Sequence, residues 1–458
     1  MPIADELDLA THGLRYLEPE IGSISRFHEG ADPWLFFHDV ERHLDALAQA
    51  RPNQVERYRR YLNDALPAAE LALEIARTPP SLRGINGAAS SRRARGLLRL
   101  LRWSRASISD VLAEYFDDWH MTMPAISTGP TVWGVHPSTP GTGIAALGFA
   151  TRHLVRGGRP VGGSGALTDA VRASFEAAGG RVLTDRHVER LLLDDGAVAG
   201  VACTGGGVVR ARHVVAACDP RRVLVDWLDG DVPPAARALA DHHRSRPDPE
   251  GYESKLDLVL DGTPVWRDRS AVDSLAPGAD DLGPTSVVAP DPERLDRAHR
   301  LRSSGGVVDR PTLLVNVPSM LDPEMLTASG QQVMSVEVLF TPYARPGGWE
   351  GSDEPERWLE ILDGMMEPGT LIIDRWRAMT PDRYEREFLM HRGHTPAYSG
   401  PSLTAVLGRN RALTRYRTPV DGLYLSGAGT FPGAGVFGAP GRNTAVAVGS
   451  DLGTQIIG

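Results

Sequence analysis

One stretch near the carboxyl end decides the fold, and it reads Gly422-Leu423-Tyr424-Leu425-Ser426-Gly427-Ala428-Gly429-Thr430-Phe431-Pro432-Gly433-Ala434-Gly435-Val436-Phe437-Gly438-Ala439-Pro440-Gly441. It predicts a buried strand over Leu423–Ser426, a glycine-rich turn, and a helix of small residues from about Arg442 to Leu452. Glycine lets a backbone approach a ligand closely, and a helix N-terminus offers unpaired N–H groups. The pattern therefore predicts a site for a phosphate or for the edge of a flavin ring, where reduction places negative charge. From the spacing alone, a glycine-rich loop without a ligand stays open as the alternative.

A second glycine-rich segment, Arg159-Pro160-Val161-Gly162-Gly163-Ser164-Gly165, comes directly before a predicted helix over Ala166–Ala178. This signal is weak by itself, because glycine loops often precede helices. Ser164 is not expected to be a nucleophile, because the G-x-S-x-G turn needs glycine where Ala166 stands. Gly141-Thr142-Gly143 resembles the start of a dinucleotide-binding turn, but no strand precedes it, so we do not assign it that role.

The rest of the chain mixes helices and strands. The first 120 residues are expected to be mostly helical, and two start signals, Asn53–Glu56 and Ser107–Asp110, precede apolar stripes. The second stripe faces either the core or an apolar substrate tunnel. The predicted strands are Arg181–Thr184, Val188–Leu193, Ala197–Cys203, Val208–Ala211, Val214–Ala217, Lys255–Leu260, Thr312–Val317 and Val333–Phe340. Asp195-Gly196 predicts a hairpin turn, and Pro355–Met366 predicts a further helix.

Composition excludes several classes of protein. The chain has 458 residues and a net charge of −9, so nucleic-acid binding is not expected. Its single lysine, Lys255, lies outside any phosphate loop, which excludes a Walker-type NTPase. Cys203 and Cys218 have no zinc or redox spacing and are expected to be buried small residues. No metal site is predicted, because the chain has no H-E-x-x-H motif and the spaced pair His391 and His394 has no evident carboxylate partner. Met1–Glu6 has no secretory pattern, and a cytoplasmic location is expected.

Taken together with these motifs, Gly422–Asn443 resembles the carboxyl-terminal flavin-binding segment of the phytoene-desaturase-like FAD-dependent oxidoreductases. Pro160–Ala170, Arg181–Pro220 and Thr380–Phe388 match further family segments in order. Pro318–Pro323, followed by a strand, favours the branch of pyridine nucleotide-disulfide oxidoreductase domain-containing protein 2 and its bacterial relatives over the carotenoid desaturases proper. The resemblance covers essentially the whole chain.

The resemblance implies an α/β fold: a glutathione-reductase-like FAD/NAD(P)-binding domain, N-terminally truncated, with an inserted mixed α+β substrate domain. The expected division is 1–150 (helical, substrate-domain segment), 151–230 (FAD-binding), 231–395 (substrate domain) and 396–458 (FAD-binding). The family opens with a βαβ unit carrying G-x-G-x-x-G, whereas here the resemblance begins near His12-Gly13-Leu14. At least about 30 residues are therefore expected to be missing. We favour a start that was assigned too late, and a truncated paralogue stays open.

The cofactor implied by the resemblance is FAD, and the residues carried over to it fall into five groups. These are Gly162, Gly163 and Gly165 beside the isoalloxazine; Val188 at the adenine; Ala216 and Ala217 near the pyrophosphate; Gly427, Ala428 and Gly429 at the pyrophosphate and ribityl chain; and Gly435, Val436, Gly438 and Ala439 at the N1/O2 edge. The sequence departs from the family pattern at two places: Ser164 stands where the family usually has methionine, and Gly393-His394-Thr395 replaces the family's usual Gly-Asn-Ile. No catalytic acid or base can be named.

The implied activity is oxidation or isomerisation at C–C or C=C bonds of an apolar or small organic substrate, with hydride transfer at flavin N5. The alternative is a truncated, flavin-free paralogue that acts as a binding or regulatory protein. A lipid-like substrate would imply peripheral contact with a membrane. The sequence leaves the oligomeric state open.

Overall fold

The computed structural model describes residues 3–77, 94–398, 405, 410–435 and 438–454. The strands are β1 (Tyr16–Leu17), β2 (Ile21–Phe27), β3 (Trp34–Phe37), β4 (Arg159–Pro160), β5 (Val188–Asp194), β6 (Ala197–Cys203), β7 (Val208–Arg210), β8 (Val214–Ala216), β9 (Glu253–Leu260), β10 (Thr285–Ala289), β11 (Leu313–Asn316), β12 (Gln332–Leu339), β13 (Ile373–Met379) and β14 (Leu423–Leu425).

The α-helices, in chain order, are α1 (Ile3–Glu6), α2 (Val40–Ala50), α3 (Val55–Ala76), α4 (Ala94–Trp103), α5 (Ile108–Ala113), α6 (Trp119–Ser127), α7 (Gly148–Leu154), α8 (Ser164–Ala177), α9 (Pro234–Arg244), α10 (Arg269–Leu275), α11 (Pro292–Ser303), α12 (Pro318–Leu321), α13 (Glu354–Asp363), α14 (Pro381–Phe388), α15 (Arg411–Thr414) and α16 (Ala439–Asp451). Within the described ranges, none of them combines the length and the apolar character that crossing a bilayer requires.

The largest sheet has seven strands in the order β13-β9-β12-β11-β10-β2-β3. Strand β9 alternates as predicted: Leu256, Leu258 and Leu260 are buried and pack in a core that includes Trp358 of α13. Because side chains of a strand alternate between the two faces, the polar residues of β9 lie on the opposite face of the sheet. That polar face becomes important for the candidate site.

The expectation that the first 120 residues are mostly helical was wrong for residues 16 to 37. Strands β2 and β3 join the large sheet there, and β2 pairs in parallel with β10. The reason lies in the burial of these strands, because most residues of β2 and all four of β3 are buried. A strand that is buried on both faces lacks the apolar–polar alternation that reveals strands on the surface.

The helices of the amino-terminal part form an aromatic core. Ser107 caps α5 in the predicted capping box with Asp110. The stripe Val111–Phe116 is buried in this core at Val111, Leu112, Tyr115 and Phe116, which confirms the core-facing interpretation of the stripe over the tunnel wall. The helix is shorter than the stripe, since α5 ends at Ala113 and α6 begins at Trp119.

A smaller α/β region carries the carboxyl-terminal glycine motif. Strands β8 and β14 pair in parallel, and β5, β6 and β7 form the predicted meander, whose Asp195-Gly196 turn has the positive φ values of a tight hairpin. The predicted strand Arg181–Thr184 was wrong: Val182 is 44% exposed, Leu183 is 53% exposed, and no described strand pairs with this segment. An extended segment needs a hydrogen-bonding neighbour to become a strand.

Candidate functional site

A cavity at the carboxyl-terminal motif has a volume of about 1090 Å³. The loop 431–434, which follows β14, forms one wall, and strands β2 and β10 contribute at Gly22, Ser23, Thr285 and Val287. The remaining walls come from α6, α7 and the turns between residues 128 and 149. Most lining side chains are apolar, such as Ile144, Leu147 and Phe149. Such a concave, mainly apolar space with a few polar groups is typical of a small-molecule site.

A second cavity, of about 880 Å³, lies between the start of α8 and the polar face of the large sheet. Gly163 and Ser164 line it on one side. On the other side it is lined by charged residues of β9, β12 and β13: Lys255, Asp257, Glu337, Arg375 and Arg377. The Nζ atom of Lys255 lies 2.7 Å from Oδ1 of Asp257. The two glycine motifs therefore face two different cavities, one apolar and one charged.

The predicted glycines at the start of α8 surround open space. Gly162 and Gly163 have φ values of 82° and 87°, which favour glycine. The N–H of Gly162 donates to Oδ2 of Asp322 at 2.6 Å. At Gly165 a Cβ atom would meet no atom within 4 Å. Gly165 is exposed, and neither packing nor backbone conformation requires glycine there.

The predicted residues at the ends of β8 and β14 come together. Ala216 of β8 pairs with Leu425 of β14, and their following turns touch. At Gly427 a Cβ atom would lie 3.0 Å from the carbonyl oxygen of Ala217, and at Gly429 it would lie 2.5 Å from Cδ of Pro220. Close packing of two turns therefore explains these two glycines. The turns, which include Ala428, lie beyond the carboxyl ends of parallel strands, where α/β proteins commonly bind ligands.

Helix α16 begins at Ala439, three residues before the predicted start, with Pro440 in its first turn, where a missing N–H costs nothing. Gly438 precedes it with a φ of 67°. A Cβ atom there would lie 3.2 Å from Cδ1 of Ile3 in α1. The carboxylate of Glu6 binds the guanidinium of Arg442 at 2.8 Å. The start of α16 therefore packs against α1.

The other predicted positions are less informative. Gly435 has a φ of 144°, and Val436 lies outside the described residues. Val188 begins β5 and pairs with Cys203, in a different sheet from β8 and β14. Cys203 is buried as expected, but Cys218 is exposed, because it follows the end of β8 and belongs to no strand. In the part of the chain that the structure describes, no three His, Cys, Asp or Glu side chains gather around a metal-sized space.

Two carboxyl groups that the sequence did not single out lie on the polar face of the large sheet. Glu337 stands opposite Lys255 across β12 and β9, and Glu253 is opposite Leu339, two residues further along β12. Burial, together with the neighbouring Glu337, raises the pKa of Glu253 to about 7. Burial also raises the pKa of Glu337, and Lys255 opposes that rise. The alternation of β9 gave the available signal, because it predicts a polar face opposite the leucines.

A glycine-rich strand–turn–helix lies beside a large cavity, as expected for the segment that the sequence predicts to bind a flavin. The chain belongs to the flavin containing amine oxidoreductase family, which it matches over residues 36–448. This match confirms the predicted superfamily, and the flavin in the family's name agrees with the FAD predicted from the sequence.

Individual relatives and one solved structure are also similar to this chain. The chain is 28% identical over 361 residues to pyridine nucleotide-disulfide oxidoreductase domain-containing protein 2 of Rattus norvegicus, which covers 76% of this chain and 61% of the relative. It is 25% identical over 285 residues to the neurosporene-forming phytoene desaturase of Cereibacter sphaeroides, covering 61% of this chain and 51% of that protein. The solved structure of putrescine oxidase bound to putrescine has a TM-score of 0.58 at 15% identity, over 98% of this chain and 86% of that one. This last likeness confirms the mixed α/β fold.

Proposed function

We propose that this protein is an FAD-dependent oxidoreductase that acts on C–C or C=C bonds of an apolar or small organic substrate. One observation carries the proposal: the loop 431–434 of the carboxyl-terminal motif forms a wall of the apolar cavity of about 1090 Å³. In this arrangement the motif that would hold a flavin is also in contact with the space that would hold the substrate. The predominantly apolar lining supports an apolar substrate.

The residues present fit a flavin at several points. A Cβ atom built at Gly165 would meet no other atom within 4 Å. The turns after β8 and β14 present backbone groups at the carboxyl ends of two parallel strands. We therefore propose that Gly162, Gly163, Gly165, Val188, Ala216, Ala217, Gly427, Ala428, Gly429, Gly435, Val436, Gly438 and Ala439 hold the cofactor. The chemistry that bound FAD supplies is two-electron oxidation, with a hydride accepted at N5 and a proton released from the substrate.

The chain's own side chains would orient the substrate, exclude water and hold the proton. Apolar walls at Leu147, Phe149 and Phe431 exclude water from the larger cavity. Glu337 lines the charged cavity, and its raised pKa lets the carboxyl group retain a proton at higher pH than an exposed glutamate does. Because Gly163, a proposed cofactor residue, lines the same cavity, we propose that Glu337 holds a proton beside the cofactor and not in the apolar cavity that takes the substrate.

Visible absorption spectroscopy of the purified protein tests the proposal. We expect flavin bands after purification or after titration with FAD, and weaker FAD binding in Gly165→Ala, whose added methyl group would occupy the space beside α8. The matched control is Gly364→Ala, because Gly364 is exposed at the end of α13, has a φ of −60°, belongs to neither glycine motif, and would carry a Cβ atom no closer than 3.4 Å to its neighbours. A protein that stays colourless and gives no saturable change with FAD, in this chain and in one extended at its amino terminus, refutes the proposal.

The flavin-free alternative has one specific observation in its favour. Ile3 and Glu6 of α1 already contact Gly438 and Arg442 at the start of α16. If this contact blocks the cofactor, Glu6→Gln should increase FAD binding, because it weakens the ion pair that fastens α1. FAD binding that is equally absent in the parent and in this variant supports the binding or regulatory protein instead.

Two further predictions about the surroundings of the protein belong to the same proposal. A lipid-like substrate would favour peripheral contact with a membrane, and a cytoplasmic location stays a prediction. Flotation with liposomes tests the first, since protein that remains entirely in the lipid-free fraction removes it. Fractionation of the source cells tests the second.

A further inference from the structure

Two arginines meet a small cavity between the two larger ones. This cavity has a volume of about 230 Å³. It shares Gly22 and Arg152 with the apolar cavity, and it shares Gly158 and Arg159 with the charged cavity. Arg152 therefore lines both the small and the apolar cavity, and Arg159 lines both the small and the charged cavity.

Neither arginine has a carboxylate partner among the described residues. Nη2 of Arg152 donates to Oγ of Ser23 at 2.9 Å, and its Cζ lies 4.2 Å from the ring centre of Phe36. Arg159 donates to Oγ1 of Thr285 at 2.9 Å and to Oδ1 of Asn316 at 3.3 Å. All of these partners are uncharged. Burial lowers the pKa of both groups, that of Arg152 to about 10, so both remain cationic at neutral pH.

The ion pairs of another arginine of this protein, Arg26, make a useful comparison. Arg26 is fully buried, with 1% of its side chain exposed, and it is paired with both Asp268 and Asp281, whereas Arg152 and Arg159 are only partly buried. A buried cation without a counter-ion is costly, because the protein interior solvates charge poorly. Arg152 and Arg159 thus carry positive charge without a described carboxylate in ion-pair contact, and Asp280 favours the charged form of Arg159 only from a longer distance.

A histidine and a glycine complete the small cavity. Nδ1 of His38 donates to the carbonyl oxygen of Arg152 at 2.8 Å, which leaves Nε2 without a described partner. At Gly22 a Cβ atom would lie 3.0 Å from both Nη2 of Arg152 and Nε2 of His38. Only glycine therefore leaves these two nitrogen atoms clear of the strand.

We propose that Arg152 and Arg159 bind the carboxylate of an amphipathic substrate, with His38 beside them and the apolar part of the substrate in the cavity of about 1090 Å³. The planar donors of a guanidinium match a carboxylate well. The ligand supplies the missing negative charge, and the apolar walls bury the remainder of the molecule. This inference rests on the proposed function only in taking the apolar cavity as the substrate site.

Isothermal titration calorimetry with dodecanoate and with dodecan-1-ol, both kept below micelle formation, tests the inference. We expect dodecanoate to bind more tightly, and Arg152→Gln and Arg159→Gln each to weaken dodecanoate binding by about tenfold or more without changing dodecan-1-ol binding. The matched control is Arg156→Gln, which removes a side chain that is 65% exposed on the same segment. Circular dichroism confirms that each variant is folded.

Three outcomes overturn the inference: equal affinity for the acid and the alcohol, no loss in either arginine variant, or displacement of dodecanoate by an equal concentration of inorganic phosphate. Displacement by phosphate would mean that the two arginines bind an anion that has no apolar chain equally well. Failure of the proposed function is seen separately, because flavin binding is read from the visible spectrum and dodecanoate binding needs no flavin signal. The arginine variants are expected to keep the parent's visible spectrum.

Discussion

Replacing Glu253 by glutamine should change the way in which stability depends on pH. The pKa of this carboxyl group is raised from 4.5 to about 7, first by burial and then by Glu337. Each tenfold change in proton affinity is worth about 1.4 kcal/mol, so ionising Glu253 costs the folded state about 3 kcal/mol relative to the unfolded state. The protonated group carries no such cost. The contribution of protonated Glu253 to the free energy of unfolding is therefore fully present below pH 4.5, and it is lost as the pH rises through about 7.

The assay is urea unfolding followed by tryptophan fluorescence at about pH 5 and about pH 9. Trp266 and Trp358 lie in the core on the leucine side of β9, so their emission reports on the sheet that carries Glu253. Near pH 5 the parent and Glu253→Gln should be nearly equally stable. Near pH 9 the variant should be more stable by about 2 to 3 kcal/mol, because its side chain never ionises.

The control is Glu189→Gln, since Glu189 is exposed on β5 and its replacement should leave the pH profile unchanged. A difference between the parent and Glu253→Gln that is the same at both pH values would refute the reasoning, because the effect would then come from packing rather than from ionisation. A variant that is less stable only near pH 9 would reverse the sign and refute it as well.

Three further substitutions test other parts of the fold. Gly422→Ala should lower the melting temperature sharply, because its Cβ atom would lie 2.4 Å from the carbonyl oxygen of Arg212, and retention of the parent's melting temperature would contradict this. Arg26→Met should cost about 3 to 5 kcal/mol in urea unfolding by leaving Asp268 and Asp281 without their shared cation, and a loss below 1 kcal/mol would show that Arg269 compensates. Ser107→Ala should cost about 1 kcal/mol through loss of the capping box of α5, whereas Ser107→Asp should retain most of that stability.

Local patterns allowed much of the fold to be predicted, as two elements illustrate. The alternation of Leu256, Leu258 and Leu260 is a local signal that places β9 and its buried face correctly. In contrast, Arg181–Thr184 has the composition of a strand but forms none in the described structure. Strand propensity is local, whereas strand formation depends on a neighbour that the composition of the segment cannot supply. The same limit explains β2 and β3, whose burial on both faces removed the alternation.

The candidate site was predictable as a set of motifs but not as a set of cavities. The glycines identified the turns, while Arg152 and Glu337 gave no motif, because each acquires its importance from residues distant in sequence. Arg152 meets Ser23 across 129 positions, and Glu337 meets Lys255 across a strand pair. Charges in such places become visible only when the fold shows which of them lack a partner.

The glycines of the two motifs answer different physical demands, and this difference decides which of them report on a ligand. Gly427 and Gly429 are required by the close approach of Ala217 and Pro220, so their presence is explained without any cofactor. Gly165 is in a helix, where alanine would be the more stable residue by about 1 kcal/mol, and nothing in the protein fills the space beside it. Gly165 is exposed, so neither packing nor backbone conformation requires its small size, and a cofactor beside α8 is the reason that we propose for it. Gly165→Ala should therefore stabilise the unliganded protein while weakening FAD binding, and a variant that binds FAD as the parent does would move the cofactor away from α8.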